Sequence, residues 1–192
     1  MLLVLQSPEK LDVPALLAIY RESALENCQG MFPAENFSTS LKQYEAGYAA
    51  FMRKEFFTQP GRFWMIETAD GLWASALRLL PLEEPNTWMI EALETHPDHR
   101  RKGYGAQLLA DTIRFMEETH GSVTLLSGVG KRNTASLQTH LRSGFVREKE
   151  TWTEDGETSD RTCTMAYRSP HGDRSTATGA SSSSEPGVTI QS

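Results

Sequence analysis

Leu93-Glu94-Thr95-His96-Pro97-Asp98-His99-Arg100-Arg101-Lys102-Gly103-Tyr104-Gly105 is the stretch that decides how this chain is read. A strand-like run ends at a proline, crosses a short basic turn and enters a helix, predicted from Ala106 to Glu118, through two glycines. Glycine lets backbone approach a ligand closely because no Cβ intervenes. The first N–H groups of a helix have no intrahelical partner and lie at the positive end of its dipole. Together these make an anion site, with Arg100, Arg101 and Lys102 beside it. Taken alone, the stretch reads as a βα connection with a basic exposed turn, so the remainder of the chain has to decide.

Composition narrows the classes. The 192 residues suit one domain with a sizeable core, and no apolar run is long enough to cross a bilayer. The opening Met1-Leu2-Leu3-Val4-Leu5-Gln6 lacks the basic flank of a secretion signal and reads as a strand. Cys28 and Cys163 fit no metal spacing and read as reduced thiols, which makes a cytoplasmic protein the default. A net charge of −6 argues against a general nucleic-acid binder and agrees with a cationic substrate.

Working outward, Leu2–Leu5 is a strand and Asp12 caps a helix carrying Leu16, Ile19, Tyr20 and Ala24. A second helix follows Ser38-Thr39, with the stripe Leu41, Tyr44, Tyr48, Phe51, Met52 and Phe56. Arg62–Thr68 and Leu72–Leu80 flank the hairpin signal Ala69-Asp70-Gly71, and Pro81–Asn86 turns into a strand over Thr87–His96. Beyond the glycine turn come a buried-face helix (Leu108, Leu109, Ile113, Met116), a strand over Ser122–Ser127 and a helix over Thr134–Arg142 stopped by Gly144. Phe145–Thr153 and Thr162–Tyr167 close as a hairpin around Asp155-Gly156. The order β-α-α-β-β-β-α-β-α-β-β predicts an α/β domain over 1–168, a mixed sheet with helices on both faces. From Ser169 onward the Ser/Thr/Gly-rich tail, 169–192, has almost nothing to bury and is expected to be disordered.

Two motifs in this order resemble the GNAT superfamily of acyl-CoA-dependent N-acetyltransferases. The first, Gln/Arg-x-x-Gly-x-Gly/Ala after a strand, stands as Arg100-Arg101-Lys102-Gly103-Tyr104-Gly105. The second, an Asn followed by a short helix and Gly-Phe, stands as Asn133 through Gly144-Phe145. The resemblance spans roughly Leu2 to Tyr167. It implies a mostly antiparallel sheet of about seven strands, with acetyl-CoA as cosubstrate and an amine as acceptor. The N–H groups of Arg101, Lys102, Gly103, Tyr104, Gly105 and Ala106 would hold the coenzyme A pyrophosphate. Leu93 and Thr95 would offer backbone to the pantetheine arm as in strand addition, and Asn133 would contact that arm. Attack on the thioester would be direct, needing proximity, a free-base amine, a polarised carbonyl and a proton for the thiolate.

Two positions depart from the family pattern. The Tyr that often serves as general acid is His140 here, expected to share a helix face with Asn133 and either to supply the proton or to be a helix-surface histidine with no role. Members acetylating protein N-termini often carry Glu five residues before the Asn, where this chain has Gly128. Glu91 and Glu94, assigned to opposite faces of their strand by the period of two, are the candidate proton relays, each with a structural ion pair or a solvent-facing position as the alternative. Trp64, Trp73 and Trp88 read as core or cleft wall, and His96 and His99 as surface residues. Acceptor specificity is expected from Asn27–Phe37, with Met31, Phe32, Glu35 and Phe37, and from Leu80–Asn86. The rival readings are the same transfer onto a protein N-terminus or lysine rather than a small molecule, a catalytically weak acyl-CoA sensor of the same fold, and an unrelated phosphate-binding module. No metal, nucleic acid or membrane is implied, and a homodimer stays open.

Overall fold

The computed structural model describes residues 1–31, 37–170 and 189–191. Strand β1 (Leu2–Leu5) leads to helices α1 (Val13–Met31) and α2 (Phe37–Lys54), then to β2 (Phe63–Ala69), β3 (Leu72–Pro81) and β4 (Thr87–Thr95). Helix α3 (Tyr104–His120), β5 (Thr124–Gly130) and α4 (Thr134–Arg142) follow. The chain then runs through β6 (Val146–Lys149), β7 (Trp152–Glu154), β8 (Glu157–Ser159) and β9 (Thr162–Arg168), with β10 over Thr189–Gln191.

Local chemistry explains several boundaries. Asp12 Oδ1 accepts the N–H of Ala15 at 3.0 Å, which caps α1. Asp70 and Gly71, at φ 52° and 79°, make the tight turn between β2 and β3. Gly144, at φ 89°, ends α4, and the N–H of Phe145 reaches back to the carbonyl of His140 at 3.1 Å.

The sheet order is β10-β1-β2-β3-β4-β5-β9-β6, parallel at β1/β10 and β4/β5 and otherwise antiparallel. Without β10 it is a seven-stranded, mostly antiparallel sheet, as the family resemblance implied, with helices on both faces, as the element order implied. Alternation along the strands sorts the core into two layers. Leu2, Val4, Phe63 and Met65 pack with Leu108, Leu109 and Met116 of α3, while Leu3, Leu5, Trp64 and Ile66 pack with Leu16, Ile19 and Met52 of α1 and α2.

Three expectations change. Phe145–Thr153 is not one strand: β6 pairs with β9 at the sheet edge, while β7 pairs only with β8 in a separate hairpin around Asp155-Gly156. Within the expected tail, 189–191 lie against β1, with Leu3 opposite Thr189; residues 171–188 and 192 lie outside the described residues. Glu91 and Glu94 do not occupy opposite faces. Arg78 is opposite Glu91 and Ala76 is opposite Glu94, so three steps on β4 match two on β3. The extra residue is a bulge at Ala92, φ 52°, and it brings both carboxylates to the α1/α2 face. The Tyr20 hydroxyl of α1 donates to the Ala92 carbonyl and lies 3.2 Å from the Ala76 carbonyl, clamping the bulge from the helix layer.

Candidate active site

The bulge opens the sheet. β4 and β5 pair only from Thr87 to Ile90 with Thr124 to Ser127, and beyond that the strands part. The gap is a cleft of about 320 Å³, walled by Glu91–Leu93 on one side and Gly128–Gly130 on the other. Asn133 and His140 of α4 and Trp152 and Glu154 of β7 complete it.

At the C-terminal end of β4 the basic turn enters α3. The first helical return runs from the Gln107 N–H to the Gly103 carbonyl at 2.9 Å. Among the described residues nothing accepts from the N–H groups of Arg101 through Ala106, the donor row an anion requires. The two glycines do different work. Gly103 sits at φ 89° with open space where a Cβ would project, so it supplies a left-handed turn and an unobstructed face. A Cβ on Gly105 would come within 3.2 Å of Thr95 Oγ1, so this glycine chiefly lets α3 pack against β4. Arg100 turns away from the donor row. Its guanidinium binds Glu22 at 2.5 Å and its Nε donates to the Thr95 carbonyl at 3.2 Å, whereas Arg101 and Lys102 are exposed. His96 and His99, read as surface residues, are half-buried and packed on each other, with His96 Nδ1 accepting the N–H of Asp98 at 3.2 Å.

Asn133 is the N-cap of α4, its Oδ1 accepting the Ser136 N–H at 3.0 Å, which leaves its amide N–H₂ available as a donor. Two turns on, as the spacing implied, His140 faces the same cleft. The ring is 1% exposed and packs edge-on against Phe145 at 5.0 Å. Its Nδ1 lies 2.8 Å from the Ser136 carbonyl.

The sequence profile of the acetyltransferase (GNAT) family matches residues 21–145, more than half of the chain. The chain belongs to this family. Among solved structures, the PaiA N-acetyltransferase from Thermoplasma acidophilum in complex with coenzyme A matches this acetyltransferase with a TM-score of 0.60 at 16% identity, over 88% of this chain and 99% of that one. The ribosomal-protein-S18-alanine N-acetyltransferase from Escherichia coli matches at 0.56 and 21% identity, over 91% and 98%. An IAA acetyltransferase from Bacillus cereus matches at 0.52 and 14%, over 88% and 99%. At such identities the likeness is one of fold. No curated protein matches the chain.

Against that common fold, the carboxylates of this acetyltransferase separate into two settings. Glu91 lines the cleft and is paired with Arg78 at 2.9 Å. Burial pushes its pKa up, Arg78 opposes the rise and neighbouring Glu154 adds to it. Glu94 instead meets α1, accepting from the Ser23 hydroxyl, and lies outside the cleft wall. Burial lifts its pKa to about 7, with Arg100 opposing and Glu22 and Glu26 reinforcing the rise.

Trp152 and Glu154 carry no local motif and were not legible as site residues. The Trp152 ring lies flat over Gly128, so close that a Cβ there would sit 2.7 Å from the ring. Its Nε1–H donates to the Glu154 carboxylate at 3.1 Å. On β5 this chain has Gly128 covered by an indole, and a carboxylate enters the cleft from β7. Trp64 and Trp88 are buried core residues, as read, and Cys163 is buried, its Sγ–H directed at the Val129 carbonyl. Of the acceptor segments, residues 32–36, including Phe32 and Glu35, lie outside the described residues, as do the side chains of Met31 and Phe37. No helix among the described residues is long and apolar enough to cross a membrane.

Proposed function

We propose that this GNAT acetyltransferase moves an acetyl group from acetyl-CoA to a primary amine that carries positive charge elsewhere. The observation that carries the reading is the continuity of two unmatched backbone surfaces: the donor row at Arg101–Ala106 and the edge of β4 exposed where β5 departs. A diphosphate fits the first, and an extended arm with amide groups fits the second. Arg101 to Ala106 would hold the diphosphate through backbone N–H. Leu93 would pair with the arm, and Asn133 would donate to it through its amide. The Thr95 carbonyl is engaged by Arg100, which fixes the strand end rather than adding a contact. Arg100 is thereby a positioning residue.

The acceptor enters from the Trp152 side, past Glu91 and Glu154. With Arg78 compensating only one of these two carboxylates, that wall has one negative charge in excess, which favours a cationic acceptor. Binding both reactants in one narrow cleft supplies proximity, the main requirement of direct aminolysis. Calorimetry with coenzyme A and thiol release from acetyl-CoA across a panel of mono- and diamines test the reading. Coenzyme A should bind, and diamines should release thiol faster than neutral-tailed amines. Binding without release from any amine would make the chain an acyl-CoA sensor, and absence of binding would remove the assignment.

A further inference from the structure

His140 was expected to act as a proton donor, but its hydrogen bonding dictates a different resting state. The Ser136 carbonyl, 2.8 Å from Nδ1, can only accept, so Nδ1 carries the proton. A neutral imidazole protonated there presents a bare lone pair at Nε2. That atom is buried and has no partner among the described residues, in a ring that walls the cleft. An acceptor left without a donor in a buried site is costly, so it is expected where the missing donor arrives with a ligand. Of the groups that would enter this cleft, the extended arm brings amide N–H groups that the β4 edge would take up, and the acceptor amine brings N–H at the reacting centre.

Resting on the acetyl-transfer reading above, we infer that His140 is the base of this enzyme and then its acid, one Nε2 atom shuttling one proton. As the amine nitrogen bonds to the thioester carbon, that nitrogen becomes cationic and its proton passes to Nε2. As the C–S bond breaks, its electron pair stays on sulfur and Nε2 returns the same proton to the thiolate. The products are the amide and the free thiol, the proton count balances, and no co-reactant is needed. The Nδ1–H bond to Ser136 persists throughout and holds the ring for both transfers.

The surroundings favour both halves. Burial holds the imidazole pKa below its ordinary value, with the Ser136 hydrogen bond opposing. The ring therefore stays a neutral acceptor at neutral pH, and once protonated it gives the proton downhill to a thiolate whose conjugate acid lies near ~8.5. Arg78 of β3, Glu91 of β4 and Glu154 of β7 share the cleft, yet burial and Ser136 account for the shift in His140. The ring's setting is thus not held by an ion pair, and Phe145 is its aromatic neighbour.

The test has a spectroscopic and a kinetic arm. In ¹⁵N-histidine wild-type protein at pH 7.5, the His140 ring, assigned through its contact with Phe145, should show protonated Nδ1 and bare Nε2. A protonated Nε2 in the resting protein overturns the inference whether or not an acceptor has been found. His140→Gln keeps a donor for Ser136 but offers no base. With a responsive amine its kcat should fall by about 10²-fold, with coenzyme A affinity unchanged within about twofold. The limb of the wild-type pH profile set by the imidazole should vanish. A folded variant with wild-type rate and profile refutes the shuttle. Should His140→Gln fail to fold, the resting tautomer decides. Failure of every amine with the wild type would instead refute the acetyl-transfer reading.

Discussion

Glu94→Gln isolates the effect of a half-buried carboxylate that the bulge moved onto the α1/α2 face. Its pKa rises from 4.5 to about 7, with burial as the leading cause. A carboxyl whose folded pKa exceeds its unfolded value keeps a proton that the unfolded chain has released. Stability therefore falls as pH rises between these two values, and above about 7 the ionised group is a net burden. At ~1.36 kcal/mol per decade the whole rise sets a ceiling near ~3 kcal/mol. Solvent screening at a site with substantial exposure reduces this to about 1–2 kcal/mol. Glutamine retains an oxygen for the Ser23 hydroxyl and removes the charge. For a domain of this size the variant should melt about 3–6 °C above wild type at pH 8 and almost level with it at pH 5. Thermal melts followed by circular dichroism at both pH values measure the difference. An equal shift at both, or a loss at pH 8, would refute the burial argument. Thiol release should stay within about threefold of wild type, because Glu94 faces Ser23 and not the cleft; a far larger loss would place it in the proton path.

Gly103→Val puts a β-branched residue at φ 89° and a Cβ in the open space before the donor row, and should weaken coenzyme A binding by calorimetry at least about tenfold at a stability cost of roughly 1–2 kcal/mol. Unchanged affinity would dissociate the turn from the diphosphate. Gly128→Ala forces a Cβ into the Trp152 ring, 2.7 Å away, so the β7–β8 hairpin has to shift. Amine KM should rise about tenfold while coenzyme A affinity holds, since one lost wall contact is worth roughly 1–3 kcal/mol; an unaltered amine profile would show that Trp152 does not shape the acceptor site.

What could be read from the residues depended on whether local chemistry decided the outcome. The glycine turn, the cap at Asp12, the stop at Gly144 and the strand over Leu2–Leu5 all follow from rules acting within a few residues. The face of Glu94 does not. The period of two holds until a bulge breaks it, and Ala92 is an ordinary residue that gives no warning at φ 52°. Trp152 and Glu154 were hidden for a related reason. Their turn at Asp155-Gly156 was visible, but nothing in Val146–Glu154 shows that β6 stays with the sheet while β7 leaves it for the cleft. The position of His140 followed from helical spacing. Its tautomer did not, because it depends on which atom of Ser136 the ring meets.

The face of Glu94 and the open cleft share one structural cause. A regular β4 would continue beside β5 past Ile90, closing the cleft and sending Glu94 to the α3 face. The bulge at Ala92 prevents both, but it removes the Ala92 carbonyl from the regular ladder and leaves it in need of another donor. The Tyr20 hydroxyl meets that carbonyl. Tyr20 is itself buried, its pKa pushed well above the ordinary phenol range by desolvation, so it serves as a neutral donor at neutral pH. The open cleft is therefore held from α1, on the opposite side of the sheet from the α3 donor row. The same helix supplies Ser23 to Glu94 and Glu22 to Arg100, whose Nε fixes the end of β4 just before the turn. Helix α1 thus sets the course of β4 from the bulge to the donor row through side chains that need not touch either substrate.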